Sequence, residues 1–426
     1  MSTPDLSRRD FLSAALRYGA LAAGAGALLS SPAWLKRWVK KTAAQAYAAT
    51  KLDELLRTAP LARYWISTES EGQHCAECHS ETVAVDACHV GTVTPAAGHR
   101  HERPYVKCLL CAQCCMIASG DRGKCNVRMN ANGELRSLVY GRPITIHIDP
   151  IEKKPFYHFL PGASAYSLAT SGCPLHCRFC QNWEISQIHP EDYEADYTPP
   201  EALVSGAKNN KAPVIAFTYN EPTVFTEYLT DIARAARPQG VRSVLISCGF
   251  MREEPLTEMC SVLDAIKIDL KGFSADFYQR VCAADLQPVL RSIKQVAQSG
   301  THLEIVNLVV PSLNDSADML SGLVDWIAGE LGLDVPIHFT RFHPDYQLLN
   351  LSPTPVETLE RARDLAMTKG IHYAYVGNVP GHAGNHTYCP KCGKAVILRS
   401  GLFLQEMHLK NGACEFCGEP IAGVWN

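Results

Sequence analysis

Charge of either sign is scarcely in excess in this chain. Its 426 residues carry 40 Lys and Arg against 43 Asp and Glu, a formal net charge of -3. Without a broad positive field, wholesale attraction to nucleic acid or to an anionic membrane is excluded. A long apolar run is also missing. The stretch Tyr18–Leu29 is weakly apolar, too short and too rich in Gly and Ala for a membrane span. The chain does not lack core material, however. At 46% hydrophobic residues it has room for more than one domain and a sizeable core. Cysteine is plentiful, with 18 thiols, of which 15 fall in tight groups. Grouped C-x2-C spacing favours metal binding over a disulfide framework.

The most informative group is Cys173-Pro-Leu-His-Cys177-Arg-Phe-Cys180, which follows the apolar run Tyr166–Gly172. Three thiolates on one short loop can hold three irons of a cubane cluster and leave the fourth open, whereas closed electron-transfer clusters normally use four cysteines. A zinc knuckle completed by His176 or His189 is the alternative reading of the same residues. From Tyr166 onward, apolar runs at 166–171, 214–219, 241–247, 265–269, 303–310, 337–340 and 372–376 alternate with helical patterns at 201–208, 222–236, 254–262, 276–282, 287–299, 317–329 and 355–368. Such alternation predicts parallel βαβ units in an α/β fold, as a barrel-like or doubly wound sheet. The cysteine loop, Tyr219–Glu221, Asp269–Lys271 and His343 all fall at or just after predicted strand ends, where parallel folds place their sites.

C-x3-C-x2-C after a first strand, with an aromatic (Phe179) before the last cysteine, resembles the radical S-adenosylmethionine (radical SAM) superfamily. Gln181–Ser186, Asp149–Pro155, His158–Gly162, Phe217–Pro222, Lys267–Gly272 and Arg341–Tyr346 narrow the resemblance to the radical SAM enzyme of the AmmeMemoRadiSam system, a relative of the pyruvate formate-lyase activating enzymes. The likeness spans about residues 105–420 and implies a partial (β/α)6 barrel. It also implies a [4Fe-4S] cluster on Cys173, Cys177 and Cys180 whose open iron binds S-adenosylmethionine. Reductive cleavage of that cofactor gives a 5′-deoxyadenosyl radical for hydrogen abstraction. By the chemistry of the ligand, Asn220 and Glu221 are expected to accept from its ammonium, Lys271 to pair with its carboxylate, and Asp269 to hold Lys271 or accept from a cofactor donor. Phe179 and His343 are further candidate contacts. Here Thr-Tyr-Asn-Glu-Pro stands where many relatives carry Gly-Gly-Glu-Pro, which bears on Asn220 more than on Glu221. The family further implies an electron donor, a protein or peptide substrate, and partners of the Memo and AMMECR types.

The remaining cysteines form three more groups. Cys389-x2-Cys392 and Cys414-x2-Cys417 follow the pattern of a zinc ribbon, with rubredoxin-like iron as the alternative metal. Cys108, Cys111, Cys115 and Cys125 resemble the family's N-terminal cysteine module and would form a second metal site, zinc or an auxiliary cluster; Cys114 competes with Cys115 as ligand. Cys75-Ala-Glu-Cys78-His79 is a C-x2-C-H run, read as a zinc or other metal site, as haem c attachment, or as no cofactor site. Cys248, Cys260 and Cys282 are expected to be buried bystanders.

At the N-terminus, Ser7-Arg8-Arg9-Asp10-Phe11-Leu12 reads as a twin-arginine export motif, with Ala44-Gln-Ala46 as a candidate cleavage site; without export the protein would be cytoplasmic. The expected organisation is a signal at 1–46, a helix and Cys/His-rich insert at 47–107, the cysteine module at 108–160, the barrel at 161–380 and the ribbon at 381–426. The competing function is an exported iron–sulfur or haem electron-transfer protein without radical chemistry.

Overall fold

The computed structural model describes residues 50–67 and 105–426. The expectations for the export signal and for Cys75, Cys78 and His79 lie outside the described residues. The chain divides into two units, Met1–Arg57 and Thr58–Asn426. In the first unit, residues 50–57 are helical. The sequence predicts this helix over 47–66, but it stops at residue 58, just before Pro60, because the residue preceding a proline is pushed out of the helical region.

In the second unit, β1 (Trp65–Ser67), β2 (Tyr105–Cys108) and β3 (Met116–Ala118) form a small antiparallel sheet. β4 (Arg128–Ala131) and β5 (Glu134–Ser137) form a hairpin turned by Asn132-Gly133, both at positive φ, as a type I′ turn requires. The central sheet has eight strands: β6 (Thr145–Pro150), β7 (Ser164–Ala169), β8 (Val214–Phe217), β9 (Arg242–Ser247), β10 (Ala265–Asp269), β11 (His302–Val309), β12 (Ile337–Arg341) and β13 (Ala374–Gly377). They pair in chain order. β7 to β13 are parallel and β6 is antiparallel to β7. The expected α/β fold with a mostly parallel sheet is therefore present. Strand β6 falls inside the stretch the sequence assigns to the cysteine module. Its apolar residues, Ile146 and Ile148, face outward, so it lacks the buried run that marks its neighbours.

The main intervening helices are α1 (Pro200–Asn209), α2 (Thr226–Ala236), α3 (Glu253–Val262), α4 (Leu286–Ser299), α5 (Ala317–Leu331) and α6 (Val356–Thr368). Their apolar spacing explains their docking. In α4, Leu286, Val289, Leu290, Ile293 and Val296 recur at helical period and are all buried. Where the sequence predicts a helix at 276–282, the structure has one α turn, Ala275–Phe277, that widens into a π turn, Tyr278–Cys282. Such widened turns often mark functional sites, and this one presents its carbonyls to the cysteine loop.

Two buried charge networks fix the peripheral parts. Arg128 donates to both carboxylate oxygens of Glu227 on α2, at 2.7 and 2.5 Å, tying the N-terminal cysteine module to the central sheet's helices. Glu304 on β11 accepts from the Tyr157 and His158 amides and from His302 and His338. Burial alone would raise its carboxyl pKa, but the hydrogen bonds from the two histidines hold it well below the usual range. The 157–160 segment also receives the C-terminal tail. Val424 N donates to His158 O at 2.7 Å and Leu160 N to Val424 O at 2.8 Å.

Candidate active site

The three cysteines sit on the loop after β7. Gly172 opens that loop at φ 93, where a Cβ would come within 2.5 Å of the Cys125 carbonyl oxygen. Its own N–H donates to Ile185 O, and its carbonyl accepts from Asn220 Nδ2 at 2.9 Å. Further along, His176 N donates to Cys282 O and Arg178 N to Val281 O, which ties the loop to the π turn. Gln113 Nε2 donates to Pro174 O at 3.0 Å. The loop is thus hydrogen-bonded from three places distant in sequence, Asn220, the π turn and Gln113.

Cys173, Cys177 and Cys180 all line one cavity of about 620 Å³ at the carboxyl ends of the parallel strands. Asn220, Glu221, Asp269, Lys271 and Phe179 line the same cavity, so five of the six expected cofactor contacts are brought together with the cysteines. His343 is exposed on the segment after β12 and is not part of this lining. Burial pushes the Cys173 and Cys180 thiols up, so a cationic metal is needed to keep them as thiolates. Cys177 is lowered, first by its contact with the Cys282 thiol and further by the Lys271 charge.

The polar residues divide into occupied and available groups. Glu221 Oε1 accepts from Thr223 N, Thr223 Oγ1 and Ser247 Oγ, while Oε2 accepts from Cys248 N at 2.7 Å. Asn220 Oδ1 is buried with no hydrogen-bond partner among the described residues. A buried unpaired acceptor is costly, and a ligand ammonium would satisfy it. Asp269 binds both Lys267 and Lys271, the latter at 3.4 Å. Lys271 also lies 5.7 Å from the Phe179 ring centroid, and that ring packs near Phe277. Together, three thiols, an orphaned acceptor and a lysine held by a carboxylate fit an iron–sulfur cluster with an amino-acid ligand.

Several residues in or beside the cavity were given no role of their own by the sequence. Lys267 alternates with Asp269 on one face of β10, and a lysine inside a buried strand was the signal for it. Asp149 joins Lys153 at 2.8 Å, Lys154 at 2.5 Å and the Tyr219 hydroxyl. Burial lowers the Lys154 pKa to about 8 despite that partner. His338, held by Glu304, lies deeper in the same cavity. Cys248 and Cys282 are buried as expected, yet Cys248 lines the cavity and Cys282 touches Cys177.

The other cysteine groups differ in compactness. Cys389, Cys392, Cys414 and Cys417 have all their sulfurs within 4.8 Å of one another, with Cys389–Cys417 at 3.5 Å and Cys392–Cys414 at 3.8 Å. Bonds of ~2.3 Å to a tetrahedral metal place sulfurs ~3.8 Å apart, so this group can hold a metal ion. Burial raises the Cys111 pKa, and the nearby charges of Cys108, Cys115 and Cys125 raise it further, which shows these four cysteines approach one another. Cys114 instead accepts from Arg252 Nη1 at 3.5 Å.

A model of the radical SAM superfamily matches residues 167–323, the stretch that carries the cysteine loop, Asn220, Glu221, Asp269 and Lys271. The chain thus carries a radical SAM domain, and that superfamily implies a [4Fe-4S] cluster, S-adenosylmethionine and radical chemistry. It is 44% identical over 319 residues to the uncharacterized protein MJ0808 of Methanocaldococcus jannaschii, covering 74% of this chain and 95% of that one. Among solved structures, a domain of the pyruvate-formate lyase-activating enzyme from Bacteroides vulgatus aligns at 19% identity over 38% of this chain and 98% of the domain, with a TM-score of 0.35. A radical SAM methyltransferase from Sphaerobacter thermophilus aligns at 13% identity over 53% of this chain and 71% of its own, with a TM-score of 0.42.

Proposed function

We propose that this radical SAM enzyme is activating-enzyme-like and abstracts hydrogen from a protein or peptide, as part of an AmmeMemoRadiSam system with Memo-like and AMMECR-like partners. The observation that carries the cofactor reading is the shared cavity of Cys173, Cys177 and Cys180 with the unpaired Asn220 Oδ1. The three cysteines hold the cluster, which when bound supplies the electron that cleaves S-adenosylmethionine. Asn220 Oδ1 and Glu221 Oε2 take the ligand's ammonium. Lys271, oriented by Asp269, takes its carboxylate. These contacts fix the ligand against the cysteine loop and keep water from the reacting carbon.

The partial (β/α)6 barrel is the reading of the sheet that this family supports. Zinc in the tail is supported by its compact four-thiol geometry. A second metal held by Cys108, Cys111, Cys115 and Cys125 is supported by their mutual approach. Export through the twin-arginine motif, and a metal or haem at Cys75, Cys78 and His79, rest on sequence pattern alone. Anaerobically reconstituted, reduced protein incubated with S-adenosylmethionine is expected to form 5′-deoxyadenosine, and Cys173→Ala to abolish it. Equal product from both proteins would overturn the cofactor reading, and an electron-transfer role would take its place.

A further inference from the structure

The C-terminal tail reaches the active-site cavity. β14 (Thr387–Tyr388), β15 (Ala395–Ser400) and β16 (Phe403–Met407) form a small antiparallel sheet, in which β15 and β16 make a hairpin with a two-residue turn, Gly401-Leu402, led by Gly401 at φ 59. Leu402, at that turn, lines the same cavity as Cys173 and Lys271, although more than 200 residues separate it from Cys173. We propose that Leu402 is a specificity-determining wall of the radical SAM cavity, setting how large a group can reach the cysteine loop. This rests on the radical SAM reading of the cavity and adds to it the element that limits access.

The placement of Leu402 is built, not incidental. At the stem of the hairpin, Arg399 is 3% exposed. It donates to Tyr157 O at 2.7 Å, to Asn385 O at 3.1 Å and to Thr387 Oγ1 at 3.0 Å, and its guanidinium lies 4.1 Å over the Tyr157 ring. Tyr157 itself lines the cavity, so the stem is bonded to a residue of the wall it completes. On the far side of the turn, Leu404 packs against Gly162 so closely that a Cβ there would meet Leu404 Cδ2 at 2.9 Å. The turn is therefore held from both flanks. β15 begins just after the first pair of tail cysteines, and β16 runs on through β17 (Leu409–Lys410) to β18 (Ala413–Cys414) at the second pair. A metal ion on the four thiols would anchor both ends of the hairpin. The Leu402 side chain has no polar group to offer a ligand, so its contribution is size and shape.

The test uses the full chain with its cluster reconstituted, in a series of Leu402→Gly, the native protein and Leu402→Trp. The readout is loss of the cluster's visible absorption on adding ferricyanide, a bulky oxidant, or dissolved oxygen, a small one. Ferricyanide bleaching is expected to be about fivefold or more faster in Leu402→Gly and slower by a similar factor in Leu402→Trp, with little change for oxygen. A merely structural role would speed bleaching in both variants, since both would loosen the fold. Equal ferricyanide rates across the series, or acceleration in both variants, would overturn the proposal. A native protein that never takes up a cluster would instead sink the radical SAM reading itself, so the two failures are distinguishable.

Discussion

Asn220 and His158 show how single residues in this protein are committed by what surrounds them. Asn220 Nδ2 is tied to the Gly172 carbonyl, which leaves Oδ1 buried and unpaired. Replacing it with Leu removes an acceptor that pairs with a charged donor, worth about 1.5–3 kcal/mol. Asn220→Leu is therefore expected to weaken S-adenosylmethionine binding by more than about tenfold, read by calorimetry on the cluster-loaded protein. Both Glu221 and Asn220 were legible as candidate ligand contacts from their position after a predicted strand. That Asn220 Oδ1 is left without a partner was not, because an orphaned acceptor appears only when its neighbours are placed. His158 is buried between Ala422 O and the Tyr375 hydroxyl, and burial pulls its pKa down to about 3 from the usual 6.5. The unfolded chain then binds a proton that the folded one refuses. The contribution to stability is full above ~6.5 and is lost as pH falls from there toward 3, by a few kcal/mol. Melting temperature should accordingly drop between pH 7 and 5, and His158→Phe should flatten that slope. A slope unchanged by the substitution would refute the assignment.

At the scale of elements, the cysteine loop depends on strands and turns that are remote in sequence. The motif itself was plain to read, because its three thiols lie within eight residues. Its supports were not: the Cys125 carbonyl against Gly172, the π turn and Gln113 meet the loop only through topology. Gly172→Ala combines a left-handed backbone with a 2.5 Å clash against backbone oxygen. It should cost at least about 2 kcal/mol locally and lower the iron bound per chain. Iron analysis alongside circular dichroism separates a lost loop from a lost fold, and full iron loading would contradict this account. The alternation of apolar runs and helices located the parallel strands closely. β6 escaped notice because its apolar side chains point to solvent, and the predicted helix at 276–282 proved to be a single turn widening into a π turn.

At the scale of the molecule, three cysteine-bearing parts meet through buried polar contacts rather than apolar surface alone. Arg128 and Glu227 are 1% and 4% exposed at their side chains. Truncating one partner leaves the other as an uncompensated buried charge. Glu227→Ala is expected to lose about 3–5 kcal/mol, seen as a lower urea midpoint. A loss below about 1 kcal/mol would place the pair among weak surface bridges instead. Sequence marked both the cysteine module and the tail as candidate metal sites, but gave no sign that either touches the central sheet. Nothing in the pattern around Leu402 distinguishes it from any leucine in a hairpin.

The contact between His158 and Ala422 spans 264 residues, which gives it a kinetic side. Closing a loop of that length costs about 5 kcal/mol of chain entropy. The bonds that offset it go to a 157–160 segment that is itself ordered by Glu304 on β11, and to Val376 and Tyr375 on β13. Tail docking must therefore follow assembly of the central sheet. During folding, the cavity passes through a stage in which the cysteine loop is formed and the Leu402 wall is still absent. That interval gives iron and sulfide their widest passage to the three thiols, and docking of the tail brings it to an end.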